Sequence, residues 1–367
     1  MERVSLHLQP PVLWPQPDTR AYLEPLWTGP LQRYIGNLRT DLALAVVDGE
    51  ALPLTLPRPW RGNSYLCSPL NQYLGYTREV LSKSRVPWTA RGLDGPMAWL
   101  AGLDRVVQVN NWLLSTNLYP PLQATALAPL HHSLLGHFPQ RALLFRSLDC
   151  RRNAHLIHGL RGLGYRAIFS RLVFYKDVSP SSEVWKQRDT RADLKLASTT
   201  QYRWRPAQQW SEADFVRAAQ LYRQLYIDKY TPLNPQFTAA YLRHVGQGSF
   251  QLLGLFAGDR MDGVIGFWER AGVMTTPILG YATELPQKLG LYRLLCLRIA
   301  QEGRQRGLLV HESAGVGRFK RLRGAVAEAE WNLVYHRHLP WSRRLPWWLL
   351  EGLINGPGRR LVEWWEA

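Results

Sequence analysis

The sequence is poor in cysteine, lysine and acidic residues, and it lacks a long apolar run. Three cysteines in 367 residues, Cys67, Cys150 and Cys296, are too few for a disulfide framework, and none sits at metal-ligand spacing. A reducing, cytoplasmic setting is the expectation, with no metal. No apolar stretch reaches the roughly 18 residues that a membrane-spanning helix needs. The opening segment mixes acids and prolines without an apolar core, so it does not read as a secretory signal. Acidic residues number 28 against 45 basic ones, a balance of +17. Seven of the basic residues are lysine and 38 are arginine. A field of that sign attracts polyanions or acidic protein surfaces, and arginine suits bidentate contact with phosphate or carboxylate.

Hydrophobic residues make up 46% of the chain and charged residues 20%, which fits a folded core and excludes global disorder. The length allows two domains. The composition divides the chain into an N-terminal unit (1–178), a polar linker (179–200) carrying one short helix, a C-terminal unit (201–338) and a Trp/Arg-rich tail (339–367).

The second unit reads in order. Tyr202–Pro206 alternates like a strand. Ser211-Glu212-Ala213-Asp214 opens a helix in the manner of a capping box. Asn234-Pro235 starts a second helix, through Leu242. Three strands follow as a meander, at Phe250–Ala257, Met261–Glu269 and Val273–Thr283, then a helix over Leu289–Arg306 that ends at Gly307. Strands at Leu308–Ser313 and Glu328–His336 flank a short helix over Val316–Arg323. The first unit reads less clearly. It shows a hairpin around Asp48-Gly49, a strand at Arg105–Asn110, and a closing strand–helix–strand run at Arg141–Phe145, Asn153–Leu163 and Tyr165–Tyr175.

One junction carries chemistry. In Gln287-Lys288-Leu289-Gly290-Leu291-Tyr292-Arg293 a helix begins just after a strand. Helix N-termini offer unpaired N–H groups to anions. Gly290 allows a close backbone approach, and Lys288 and Arg293 add charge. A second segment, His311-Glu312-Ser313-Ala314-Gly315-Val316-Gly317-Arg318-Phe319-Lys320-Arg321-Leu322-Arg323-Gly324, runs from a strand through small residues into a basic helix.

The element order of the second unit resembles the GNAT acyltransferase superfamily. Gln287 and Gly290 match its [QR]-x-x-G-x-[GA] motif, and Tyr292 stands where the motif has a small residue. The second segment, with its F-K-x-x-[RW]-G pattern, is similar to the close of Fem-type tandem-GNAT enzymes, which move amino acids from aminoacyl-tRNA to an amine. The resemblance implies an α/β (α+β) protein of two GNAT-like domains in tandem, each a mixed, mostly antiparallel sheet flanked by helices. It implies an N-acyltransferase that passes an acyl group from a thioester, on coenzyme A or on the phosphopantetheine of a carrier protein, to a small-molecule amine. The alternative donor is aminoacyl-tRNA. A non-catalytic module binding nucleic acid or an acidic partner is the reading of another class.

On that resemblance Gln287, Lys288, Gly290, Leu291, Tyr292, Arg293, Arg318 and Lys320 hold donor phosphate. A backbone amide of Gly280, Tyr281 or Ala282 polarises the acyl carbonyl. Glu269, His311 or Glu312 takes the amine's proton, and Tyr335 supplies one to the leaving group. His311 and Glu312 are adjacent on a strand, so they point to opposite sides. In the first unit Asn110, Asn111, Ser115 and Asn117 are candidates for acceptor recognition, with turn capping as the plainer role. His131-His132-Ser133-Leu134-Leu135-Gly136-His137 lacks the aspartate of a condensation-type H-H-x-x-x-D-G motif. The tail's tryptophans and arginines suit peripheral membrane contact, single-stranded nucleic acid, or packing onto the body.

Overall fold

Left-handed turn positions set the hairpins. Asp48-Gly49 (φ 49° and 83°) and Ala271-Gly272 (φ 49° and 76°) are pairs of residues with positive φ, the geometry that reverses a chain in two residues. The computed structural model describes residues 4–82, 100–248 and 250–360. In chain order its strands are β1 (Val4–His7), β2 (Thr40–Val47), β3 (Glu50–Pro57), β4 (Val106–Val109), β5 (Ala142–Asp149), β6 (Arg166–Lys176), β7 (Arg203–Pro206), β8 (Gln251–Ala257), β9 (Arg260–Arg270), β10 (Val273–Tyr281), β11 (Leu309–His311) and β12 (Val326–Tyr335).

The chain forms two compact units. The first takes residues 1–171, 230–236 and 329–361, and the second takes 172–229, 237–328 and 362–367. These bounds differ from a division at 178 and 338. The reason is pairing: from Ala329 onward, β12 lies antiparallel on β5, with Glu330 opposite Asp149 and Tyr335 opposite Leu143. The helix Trp341–Leu353 belongs to the same unit, with Trp347 and Leu350 buried among Leu100, Leu103, Val106 and Val334. Leu361–Trp365, part of the tail's Trp/Arg run, lie outside the described residues.

In the first unit β1, β2, β3 and β4 pair antiparallel in sequence, and β4 lies parallel to β5. The helix Leu127–His137 lies between those two strands in sequence, and it packs into a core with Val107, Phe145 and Leu156. The second unit repeats the plan. β7, β8, β9 and β10 run antiparallel, β10 lies parallel to β11, and the helix Leu291–Arg306 lies between them in sequence. β11 is completed by β6, with Val310 opposite Lys176.

Two local expectations shift. Ser211 and Asp214 form the capping box of the helix Glu212–Arg223, as read from sequence. The next helix starts instead at Ala239, because the Thr238 hydroxyl accepts from the Tyr241 N–H. Asn234 lies in the first unit, its carbonyl held by the Asn37 side chain at 2.8 Å. The 179–200 segment is no loose tether. Its helix Arg188–Thr199 packs within the second unit.

Asp104 tests the first unit's interior. Its buried carboxylate accepts from the Ser68 hydroxyl (2.8 and 3.0 Å) and the Leu70 N–H (3.1 Å), and burial pushes its pKa up to about 6. A carboxyl raised on folding adds stability below its unfolded value and loses it as pH climbs through the folded one. Unfolding midpoints in urea for wild type and Asp104→Asn will therefore converge or cross between pH 4 and pH 7. The wild type will lose on the order of 2 kcal/mol relative to the variant over that window.

Candidate active site

β10 and β11 pair for three residues only. Val273, Met274 and Thr275 face Leu309, Val310 and His311. Beyond that point the strands part. β10 continues on β9 after a register shift between Thr275 and Ile278. The other chain stays on β6, with Glu312 N–H donating to the Phe174 carbonyl at 2.8 Å. Gly280 lies in the parted length of β10. A side chain there would run into the backbone of Leu221 and Tyr222, so only glycine lets the helix Glu212–Arg223 lie this close. The Ala282 amide is bonded to the Asp262 carbonyl at 2.9 Å. Strand alternation turns the Tyr281 amide away from β9, toward the β11 side.

Glu312 is the first residue past the paired segment. Its side chain is 9% exposed and makes an ion pair with Lys176, which is 3% exposed, at 2.5 Å through Oε1. Glu312 Oε2 is buried with no hydrogen-bond partner among the described residues. Tyr292 and Cys296 lie one turn apart on the helix Leu291–Arg306, near the Glu312 charge. Burial, with Glu312 nearby, pushes the Cys296 thiol up to about 12, and it raises the Tyr292 phenol well above its ordinary value. Both stay protonated at neutral pH, so Cys296 offers no thiolate nucleophile. His311 turns the other way. Its Nδ1 accepts from the Ser313 N–H at 3.1 Å, and its buried ring stands edge-on to Tyr175.

The helix start at Gly290 is occupied from within the chain. Gly290 (φ 65°) precedes the helix, and the Leu196 side chain stands where a side chain at 290 would be. One turn further back on the helix Arg188–Thr199, the buried Asp193 carboxylate contacts Arg293 Nε at 2.5 Å. The same carboxylate takes Arg323 Nε at 2.6 Å and its NH2 at 3.2 Å. An internal anion thus engages Arg293, one of the charges that the sequence assigned to a donor phosphate. Gln287 and Lys288 remain exposed in the turn ahead of the helix, and Arg318 is exposed on the short helix Gly317–Arg321. Leu291 is buried, and the Tyr292 ring packs on Phe319 with centroids 4.9 Å apart.

The closing motif proves to be an anchor. The Lys320 ammonium donates to the carbonyls of Glu312, Ser313 and Ala314 at 2.8, 3.1 and 2.9 Å. It thereby holds the turn after β11, where Ser313, Gly315 and Val316 all have positive φ. Arg323 stacks on Phe319 at 3.5 Å while gripping Asp193. At Gly324 (φ 78°) a side chain would strike Val184.

The other candidates lie apart from this cluster. Glu269 is half exposed, 3.7 Å from Arg306. Tyr335 belongs to the first unit, packed against His131 and Tyr165, and burial lowers His131 to about 4. Asn110, Asn111 and Asn117 are buried and tie one loop together. They accept from the Trp112 indole, the Leu113 N–H and the Trp112 N–H respectively. The Ser115 carbonyl accepts from Arg171. Among the described residues no cluster of three or more His, Cys, Asp or Glu side chains is placed to hold a metal.

No family model matches the chain, and no curated protein matches it. Solved structures do. FemX aligns over 94% of this chain and 96% of its own, with a TM-score of 0.55 and 8% identity. L-PGS from Bacillus licheniformis covers 63% of this chain and 78% of its own (TM-score 0.46, 13% identity). A GCN5-related N-acetyltransferase from Sphaerobacter thermophilus covers 93% and 97% (TM-score 0.34, 11% identity). The fold is two GNAT-like units in tandem. At these identities the likeness is one of architecture, and the tandem GNAT-like fold says nothing by itself about substrate.

Sequence reasoning missed Lys176, Asp193 and Leu196. It also missed a buried polar group in the first GNAT-like unit. There Arg171 forms a fork with Glu330 at 2.9 and 3.1 Å, and Ser170 donates to Glu330. Nearby, Arg146 is 3% exposed, donates to the Leu66 carbonyl, and keeps a buried Nε without a partner. An arginine pattern in strands (Arg146 on β5, Arg171 on β6) was the available signal.

The Asp193 contacts give a direct test. Removing one partner of a buried ion pair strands the other charge, at roughly 3–5 kcal/mol. Asp193→Ala will lower the urea unfolding free energy by about 3 kcal/mol, and Asp189→Ala, whose contact with Arg323 is 3.7 Å, by well under 1 kcal/mol.

Proposed function

We propose that the chain is an acyltransferase that forms an amide from an activated acyl group and an amine. The observation that carries this reading is Glu312: a buried carboxylate, ion-paired through one oxygen and unpartnered at the other, where two parallel strands separate. In the reaction the amine nitrogen bonds to the acyl carbon, and its proton passes to Glu312 Oε2. The bond to the leaving sulfur or oxygen breaks, and the proton follows the leaving group. Lys176 positions Glu312 through the ion pair. No covalent enzyme intermediate is needed, which agrees with the protonated Cys296 thiol.

The filled helix start bears on the donor. Leu196 packs against Gly290 and Asp193 engages Arg293, which leaves less free charge there for a coenzyme A pyrophosphate. The +17 balance and the exposed Lys288 and Arg318 favour a macromolecular polyanion, aminoacyl-tRNA, over free acyl-coenzyme A or a phosphopantetheine carrier.

Transfer to an amine panel, measured with radiolabelled aminoacyl-tRNA and acyl-coenzyme A before and after ribonuclease, tests the reading. Transfer that ribonuclease abolishes is the expected result. Glu312→Gln will lower kcat by about 10² or more, the range of general base catalysis, with donor affinity changed less than about threefold. An undiminished kcat in that variant would remove Glu312 from the chemistry. Binding of both donors without turnover would favour a binding module instead.

A further inference from the structure

The helix Trp341–Leu353 is apolar on two opposite sides. One side is accounted for: Pro346, Trp347 and Leu350 are buried in the first unit. At 100° per residue, Trp341, Leu345, Trp348, Leu349, Gly352 and Leu353 fall within a separate arc of about 140°. Trp341 is 60% exposed, Leu349 51% and Leu353 54%. Trp341 and Trp348 stand edge to face, with centroids 4.5 Å apart, at one end of this stripe. Leu345 and Trp348 are half-buried and Ser342 lies in the same arc, so the apolar surface open to solvent is that of Trp341, Leu349 and Leu353.

The charges around the stripe have one sign. Arg344 lies over the Trp348 ring at 4.9 Å on the flank, while Arg343 is on the inner side, donating to Gln140. Arg359 and the exposed Arg360 follow one turn beyond the helix. Glu351, the lone acid of the helix, is already ion-paired with Arg166. Tryptophan rings and aliphatic side chains bordered by arginine match the boundary between headgroups and acyl chains. The charge also decides between occupants. A second copy of a chain at +17 would bring like charge to like, whereas an anionic bilayer supplies the opposite sign. No helix among the described residues is long and apolar enough to cross a membrane, so contact would be at the surface.

We propose that the outer face of Trp341–Leu353 docks the protein on an anionic lipid surface, with Trp341, Leu349 and Leu353 entering the interface and the arginines meeting lipid phosphates. This stands apart from the proposed chemistry and needs no substrate. Flotation with vesicles of mixed phosphatidylcholine and phosphatidylglycerol tests it. The wild type is expected to float with the mixed vesicles at low salt, and to bind phosphatidylcholine vesicles at least about tenfold less well. The triple variant Trp341→Ser, Leu349→Ser, Leu353→Ser is expected to lose about tenfold or more in binding to mixed vesicles. All three positions are exposed, and an unchanged far-UV spectrum checks the fold. No binding by the wild type would overturn the proposal, as would equal binding by the variant or indifference to lipid charge. Light scattering that shows a dimer dissolved by the same substitutions would assign the face to a second copy instead.

Discussion

Three residues of parallel pairing, followed by separation, organise the second unit. The parallel ladder stops where β11 itself ends, at His311. Here β10 leaves β11 after Thr275 and follows β9, while the chain beyond β11 follows β6. Glu312 follows directly on the end of β11, with one carboxylate oxygen buried and unpartnered among the described residues. A buried carboxylate there carries a desolvation cost, and Lys176 offsets it through one oxygen only. The arrangement is poor for stability and suited to a proton acceptor, the kind of site where local rules give way to function.

Several contacts keep the separated strands in place. Gly280 lets the helix Glu212–Arg223 press against the free length of β10. Lys320 gathers three carbonyls and fixes the turn that follows β11. Asp193 joins the start of the helix Leu291–Arg306 to Arg323. The Gly280 and Asp193 contacts link segments far apart in sequence, and the Lys320 contacts fix a turn locally. Two of the residues that read as a phosphate cradle, Arg293 and Lys320, take part in these contacts.

Much of the architecture was legible because it is written locally. The Ser211–Asp214 capping box, the turn pairs at 48–49 and 271–272 and the apolar rhythm of Leu291–Arg306 each have a short-range cause. Glu312 was legible as a candidate, since strand alternation left it and His311 on opposite sides. Its partner was not. Lys176 closes a strand 136 positions away, and no periodicity pairs the two. The same holds for Asp193, a polar residue in a segment that composition marks as a linker. Asn110, Asn111 and Asn117 show the converse case: polar residues clustered in sequence satisfy one another and their own loop.

The placing of β12 bears on how the chain is made. β5 pairs with β4 on one side and acquires its second neighbour only from a segment translated after every other strand. Until the ribosome releases that segment, the first unit carries an unpaired sheet edge, open to strands of other molecules. Genetic division of the two halves would leave the same edge bare permanently, so co-expressed fragments would have to trade this strand to become soluble.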